Sequence, residues 1–439
     1  MKVRYLPAIV ALVALVACGP AAASARAARP DPIRAALGAA EAAGAIDSAH
    51  AQAYGATYGS ALGALPALGG ARRRELRAAV HIVRHIASRG ALTAERMPLA
   101  FLTLQRNVEW WTAHGPPPAG SPAEKDARGR RCKPLGHLRA RAARVSFPGS
   151  GLVWEYYRGL GLQLHINGTF ATATALLQTK APEAMAQAAQ ILDEMRPLAS
   201  HRAGALTWEY FFPFGGGRPP WGSGLSQATA IEAYSGAAIL LGRPDYLQTA
   251  RDLVGLFARR PPAGVNVRLA RDGSWFALYT FAPKAHVLNA QLNAVTALHD
   301  LGTVTHDPRA TALARDGLRA ARRHIARFDT GRWSLYAEHG PLADLNYHVL
   351  NRDLARTLCQ RTGERAICNA WHSFTAELER RCPRVSQPAV ASAPSIEPAI
   401  AWLSHAAWVV TATWRARAAN AEGLHREAVA RVVRAARRP

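Results

Sequence analysis

The chain has 439 residues, of which 49% are hydrophobic and 19% charged. That length suits two or three domains of about 150 residues each, and that balance excludes extended disorder as the main state. Lys and Arg exceed Asp and Glu by 54 − 30 = 24 charges, which fits either a polyanionic partner or a solvated surface on an arginine-rich chain.

At the N-terminus, Lys2 and Arg4 precede a short apolar run, Tyr5 to Ala17. The run is too short for an ordinary membrane span and has the shape of a signal peptide, expected over residues 1–25. It ends in Leu15-Val16-Ala17-Cys18-Gly19, which resembles a bacterial lipobox with Cys18 as the lipidated residue. Ordinary cleavage near Ala21 to Ala25 is the rival. Both readings imply export, to the periplasm or cell surface, and the lipoprotein reading adds membrane attachment.

Apolar residues at spacings of three and four predict helices over 32–44, 49–64, 71–88 and 95–112, an N-terminal helical region spanning 31–114. Residues 115–149 are rich in Pro, Gly and charge and are expected to form a linker. From 150 to 439 the chain repeats. Leu162, Leu225, Leu288 and Leu350 are expected to open similar apolar helices. Gly242, Gly302 and Gly363 are expected to turn the chain into second amphipathic helices at 244–259, 307–326 and 363–381. A lone helical hairpin cannot bury its apolar face, so the hairpins must stack. The expected fold is mainly α: an incomplete α/α toroid of helical hairpins with short β segments at one end, preceded by the N-terminal helices.

The connecting segments carry aromatic runs: Trp154 to Tyr157, Trp208 to Phe212, Trp275 to Tyr279 and Trp333 to Tyr336. Each falls before a repeat helix, so repetition places all four at one end of the toroid, and aromatic content favours short strands there. Aromatic rings with polar side chains between them suit a glycan, whose C–H faces stack while its hydroxyls hydrogen-bond. The positive charge favours an acidic polysaccharide. Nucleic acid is not expected, since no zinc-finger spacing, basic region joined to heptads or RNA-binding aromatic motif is present.

Four pieces of 221–381 carry a family resemblance: Gly224-Leu225-Ser226-Gln227-Ala228-Thr229-Ala230-Ile231; Trp275 to Tyr279 followed by Val287-Leu288-Asn289; Phe328-Asp329-Thr330-Gly331 through Ser334-Leu335-Tyr336; and Asn346-Tyr347-His348. In order and in most spacings they resemble the C-terminal domain of D-glucuronyl C5-epimerases, which invert glucuronate to iduronate within heparan-type chains. The resemblance implies proton removal from C5, α to a carboxylate, and proton return on the opposite face. That chemistry needs two acid/base groups and neutralisation of an enolate-like intermediate. It implies Tyr279, Tyr336 and Tyr347 as the proton-transfer residues, with no cofactor and no metal. Glu209, Trp221, Gln227, Trp275, Asn289, Arg332, His339, His348 and Arg352 are expected around the substrate. Arg332, Arg352, Lys284 and Arg268 are candidates for lowering a tyrosine pKa.

This chain departs from the family at two positions. Leu278 stands where the family has a carboxylate, immediately before the tyrosine matching Tyr279, and His339 stands where it has a substrate-holding arginine. Glu338 is a candidate replacement carboxylate. A polysaccharide lyase, which begins with the same C5 proton abstraction, and a non-catalytic glycan-binding envelope lipoprotein are the alternatives; a homodimer is a further expectation. Among Cys132, Cys359, Cys368 and Cys382, the pair Cys359 and Cys368 flanks the turn at Gly363 and is expected to staple a hairpin. Arg426 to Arg438 reads as a basic amphipathic helix.

Overall fold

The computed structural model describes residues 30–118 and 143–382. The expected signal peptide with Cys18, most of the 115–149 segment, Cys132 and the basic C-terminal helix lie outside the described residues. The described residues from Pro32 onward form one compact unit.

The N-terminal helices are α1 (Pro32–Ala42), α2 (Ser48–Ala64), α3 (Gly70–Ser88) and α4 (Met97–Ala113), within two residues of the expected bounds. Asp47 caps α2 by accepting from the His50 N–H, which satisfies one of the amides a helix start leaves open. Strands β1 (Arg144–Val145), β2 (Trp154–Tyr157) and β3 (Gly161–Leu164) form an antiparallel sheet in that order. Both α3 and α4 pack on β3. One hydrophobic core runs from Ile33 to Phe374, so the N-terminal helices and the repeat share it.

Among the described residues, four hairpins follow. They are α5 (Ile166–Thr179) with α6 (Pro182–Met195), α7 (Gly224–Leu241) with α8 (Pro244–Leu253) and the short α9 (Gly255–Ala258), α10 (Leu288–Thr305) with α11 (Pro308–His324), and α12 (Leu345–Thr362) with α13 (Arg365–Arg381). α5 packs on α7, α7 on α10 and α10 on α12, while each second helix packs on its own partner. This is the incomplete α/α toroid. The inner helices α7 and α10 are buried along most of their length. The outer α11 buries only a stripe at helical spacing, Ala310, Leu313, Ala314, Gly317, Ala320 and Ala321.

The stops and starts follow local chemistry. Gly242 and Gly363 end α7 and α12 in the left-handed conformation glycine tolerates. Proline opens α6, α8 and α11, where its missing N–H costs nothing. The disulfide between Cys359 and Cys368 joins α12 to α13 as expected. Three expectations of the repeat shift. Leu162 lies on β3, and the first inner helix starts at Ile166; Leu350 lies inside α12. Gly302 is not a turn: it sits within α10, where a Cβ would stand 2.6 Å from Thr311 Oγ1, so it permits close contact with α11, and His306 takes the left-handed cap instead.

Because each inner helix is followed by an antiparallel outer one, all inner helices run the same way. The segments before them therefore gather at one end. These hold β4 (Ser200–Arg202) paired with β5 (Ala205–Thr207), β6 (Glu209–Tyr210) with β7 (Trp221–Gly222), and β8 (Asn266–Arg268) with β9 (Ser274–Phe276). Adjacent segments are stitched together by bridges Ser223–Tyr279 and Val287–Ala337. Gly224, opening α7, meets the Ala277 carbonyl so closely that a Cβ would stand 2.4 Å from its oxygen. Among the described residues, no helix is long and apolar enough to cross a membrane.

Candidate active site

The stitching brings the three expected tyrosines together. The Gly224 amide donates to the Leu278 carbonyl (3.1 Å) and the Thr280 amide to the Gly222 carbonyl (3.0 Å), fixing Tyr279 beside the start of α7. The Leu288 amide donates to the Tyr336 carbonyl (3.3 Å), fixing Tyr336 beside the start of α10. Tyr347 lies in the first turn of α12, where its amide donates to Asp344 Oδ1 (2.9 Å). The rings of Tyr336 and Tyr347 meet edge to face at 4.7 Å, Tyr279 packs with Tyr336 in one small cluster, and Tyr279 acts on the phenols of both. All three are half-buried, so solvent reaches the cluster.

Their protonation differs from the sequence expectation. Burial, reinforced by the neighbouring tyrosines, pushes the Tyr336 phenol far above its ordinary value. Burial, with the charges of Tyr279, Asp344 and Glu155, pushes Tyr347 up to about 12. The leading influences on both phenols are burial and neighbouring tyrosines and carboxylates, not arginines. Both rest as proton-bearing phenols at neutral pH.

An aromatic wall stands beside them. Tyr279 packs on Phe281 (5.2 Å), Trp221 (5.7 Å) and Phe214 (5.7 Å), and Trp221 stacks on Tyr210 at 4.2 Å. Phe214 and Gly217 pair across a tight turn whose Gly215 and Gly216 both have positive φ, the geometry of a two-residue hairpin loop. Phe214, 38% exposed, is the large hydrophobic that this turn presents to solvent.

Sequence reasoning passed over a polar group near this wall. On β2, Glu155 lies across from Arg144 of β1. Its Oε2 is 3.2 Å from His165 Nε2 and 3.5 Å from Arg144 Nε. Tyr157, two residues on, shares its face of the strand, and the Glu155 charge acts on its phenol. Its ring packs on Phe212 at 4.7 Å and meets Phe214 at 6.5 Å. Deeper, Thr229 Oγ1 sits between Asn167 Oδ1 (2.9 Å) and Asn293 Nδ2 (3.1 Å), and the Tyr210 hydroxyl bonds Ser226 (2.7 Å). The expected Asn289 is fully buried in the first turn of α10, with no hydrogen-bond partner for either amide atom. The missed signal was period two: on β2, Glu155 and Tyr157 share one face of the strand and Trp154 and Tyr156 the other.

Most other expected substrate residues serve the scaffold. The four tryptophans Trp154, Trp208, Trp275 and Trp333 are at most 1% exposed. Trp275 is thus a core plug, stacked on Phe328 and His286. Glu209 is buried between Arg96 (2.6 Å), Arg202 (2.5 Å) and Ser200 (3.0 Å), tying the N-terminal helices to the repeat. Gln227 bridges Thr207 and the Leu206 carbonyl. His348 is fully buried, stacked on Trp333 at 3.6 Å, with Nδ1 on Ser334 and Nε2 facing the Phe374 carbonyl. Burial lowers its pKa to about 3. Arg352 pairs with Asp353 at 2.8 Å. Arg332, Lys284 and Arg268 are exposed, and the His339 side chain is 86% exposed. Glu338 is no replacement base. Although burial opposes it, hydrogen bonds from Arg327, His286 and His324 bring its carboxyl down to about 2. Of the expected set, only Trp221 stands against the tyrosine cluster, on the aromatic wall. Among the described residues, no three His, Cys, Asp or Glu side chains are grouped to hold a metal ion.

A separate groove of about 410 Å³ lies between α2, α4 and the end of α6, lined by Tyr54, Phe101, Leu102, Arg106 and Leu198 among others. It contains none of the tyrosines of the cluster.

The three tyrosines and the bridges that gather them fall within one matched segment. Residues 203–376 match the family described as D-glucuronyl C5-epimerase C-terminus. An uncharacterized protein of Methanocaldococcus jannaschii is 26% identical over 165 residues, 36% of this chain and 54% of that protein. Among solved structures, the chain is similar to cellobiose 2-epimerase from Spirochaeta thermophila DSM 6192 (14% identity, 81% of this chain and 84% of that one, TM-score 0.40). It is also similar to a D-mannose isomerase (11%, 77% and 86%, 0.38) and to cellobiose 2-epimerase from Bacillus thermoamylovorans B4167 (14%, 49% and 60%, 0.36). The chain thus spans about half the length of the curated relative it matches and 60% of the Bacillus enzyme.

Proposed function

We propose that the protein is a carbohydrate epimerase that inverts C5 of uronate residues within an acidic polysaccharide. The observation that carries this reading is the Tyr279–Tyr336–Tyr347 cluster, half-buried at one end of the toroid and lying within the residues that match the epimerase family.

C5 of a uronate is acidified by the adjacent carboxylate. Removing its proton leaves an enolate-like dianion, and epimerisation requires a proton to return to the opposite face. A phenol held above its ordinary pKa keeps its proton until a strong base, such as that dianion, forms beside it. Tyr347 and Tyr336 are therefore suited to the return step. Phe214 and the Tyr279 ring offer faces for sugar C–H groups, and the surplus of 24 positive charges attracts a polyanion. The reading includes export with Cys18 as a lipid anchor, which rests on residues 1–19 alone. Incorporation of labelled palmitate, lost in Cys18→Ala, would test it.

The function is tested by incubating the full chain in D2O with a panel of uronate polymers. Deuterium at C5 without chain cleavage supports epimerisation. New ultraviolet-absorbing unsaturated ends would identify a lyase instead, and neither product would leave a glycan-binding protein.

A further inference from the structure

The family's carboxylate position is Leu278 here, 5% exposed in an apolar cluster with Val287 and Ala290. An aliphatic side chain cannot take a proton, so this position supplies no proton-transfer group here. We propose that Glu155, held by Arg144 and His165 on the β1–β2–β3 sheet, is the proton-transfer carboxylate of this enzyme. The inference rests on the C5-epimerase reading.

Three observations support it. First, Glu155 belongs to the same end of the toroid as the tyrosines but to its opposite flank. β2 and β3 lead into α5, the first inner helix, whereas Tyr347 opens α12, the last. The Glu155 charge nonetheless acts on Tyr347 and on Tyr210. Second, the carboxylate is positioned on rigid structure. His165 caps α5 by accepting the Gly168 N–H at Nδ1 (2.7 Å), so the neutral ring carries its proton on Nε2, the atom that faces Glu155. Burial, with Arg144 nearby and Glu155 opposing, lowers the His165 pKa to about 4, which keeps that tautomer at neutral pH. Third, Glu155 is not sealed: its side chain is 10% exposed, and those of Arg144 and His165 are 20% and 18% exposed.

In the forward step Glu155 removes the C5 proton. The C5–H bond breaks, a carboxyl O–H bond forms, and the electron pair enters the uronate carboxylate as an enolate. A phenol of the tyrosine cluster then gives its proton to the other face, and the returning pair forms the new C5–H bond. The carboxyl group and the phenolate re-equilibrate through solvent. The reverse reaction exchanges the two roles.

The test uses Glu155→Gln in the full chain, with wild type and Tyr347→Phe beside it, on any uronate polymer in which wild type places deuterium at C5. Loss of exchange by about 100-fold or more, with thermal unfolding unchanged, is the expected result. Exchange within severalfold of wild type overturns the inference. If wild type exchanges and Tyr347→Phe does not, while Glu155→Gln does, only the Glu155 assignment falls. If wild type exchanges on no polymer, the epimerase reading falls with it. Should Glu155→Gln unfold, Glu155→Asp decides: a carboxylate set back by one methylene lowers kcat with KM unchanged, and an unaltered kcat overturns the proposal.

Discussion

Tyr336 and Tyr347 meet edge to face with ring centroids 4.7 Å apart and planes at 65°. One comes from the loop bridged to the start of α10 and the other from the first turn of α12. The contact therefore exists only because adjacent inner helices present their N-terminal ends together. Tyr279, bridged to the start of α7, completes the group.

Removing the Tyr347 hydroxyl should separate chemistry from folding. Tyr347→Phe removes one polar group from a half-buried cluster, at a stability cost of no more than about 1 kcal/mol. Loss of a general acid lowers exchange by about 100-fold or more. Circular-dichroism melting and C5 exchange measured on the same preparation check both values.

Arg332 and His339 are exposed, the latter by 86% of its side chain, and neither is among the leading influences on the phenols of Tyr336 or Tyr347. Arg332→Ala and His339→Ala are expected to leave kcat for C5 exchange near wild type. A large fall in kcat for either would place the reacting sugar nearer the exposed loop than the tyrosine cluster.

His348 and Glu377 form a buried pair 4.0 Å apart that is neutral at pH 7. Burial lowers the His348 pKa from 6.5 to about 3. Its contribution to stability is therefore present above pH 6.5 and lost as pH falls toward 3. Burial, with the Asp329 charge, raises Glu377 from 4.5 to about 8. Its contribution is present below pH 4.5 and lost as pH rises through 8. Thermal unfolding across pH 4 to 9 should show both limbs, and Glu377→Gln should flatten the alkaline one while leaving the acid one.

Glu209 holds Arg96 and Arg202 with no side-chain exposure of its own. Glu209→Ala strands two guanidinium groups at a junction between the N-terminal helices and the repeat, and should cost about 3–5 kcal/mol. Urea unfolding measures this. A change under 1 kcal/mol would show that the junction does not depend on the ion cluster.

The sequence was most readable where periodicity carried the information. The N-terminal helices and the second helices of the hairpins follow from apolar spacing, and the turns at Gly242 and Gly363 from glycine's tolerance of positive φ. Gly302 misled because glycine serves close packing as well as turns. The tyrosines were legible through local motifs, each carried by a short contiguous run. Glu209, Gln227 and His348 lie in similar runs, but partners from other segments of the chain hold them in the scaffold, and Arg352 is taken up by its neighbour Asp353. Glu155 was hidden for the converse reason. It sits in a run read for its aromatic rings, and only the pairing of β1, β2 and β3 turns it away from Trp154 and toward Arg144 and His165.

The central claim is that protons leave and return at C5 from both faces of the sugar. It is tested most directly by running the reaction in D2O from each C5 epimer of one uronate polymer and following the sugar signals by nuclear magnetic resonance. The account predicts that both starting materials converge on one ratio of epimers, with deuterium at C5 of every inverted residue and chain length unchanged. Two epimers that each retain their configuration and their C5 hydrogen across the whole panel of polymers would contradict it.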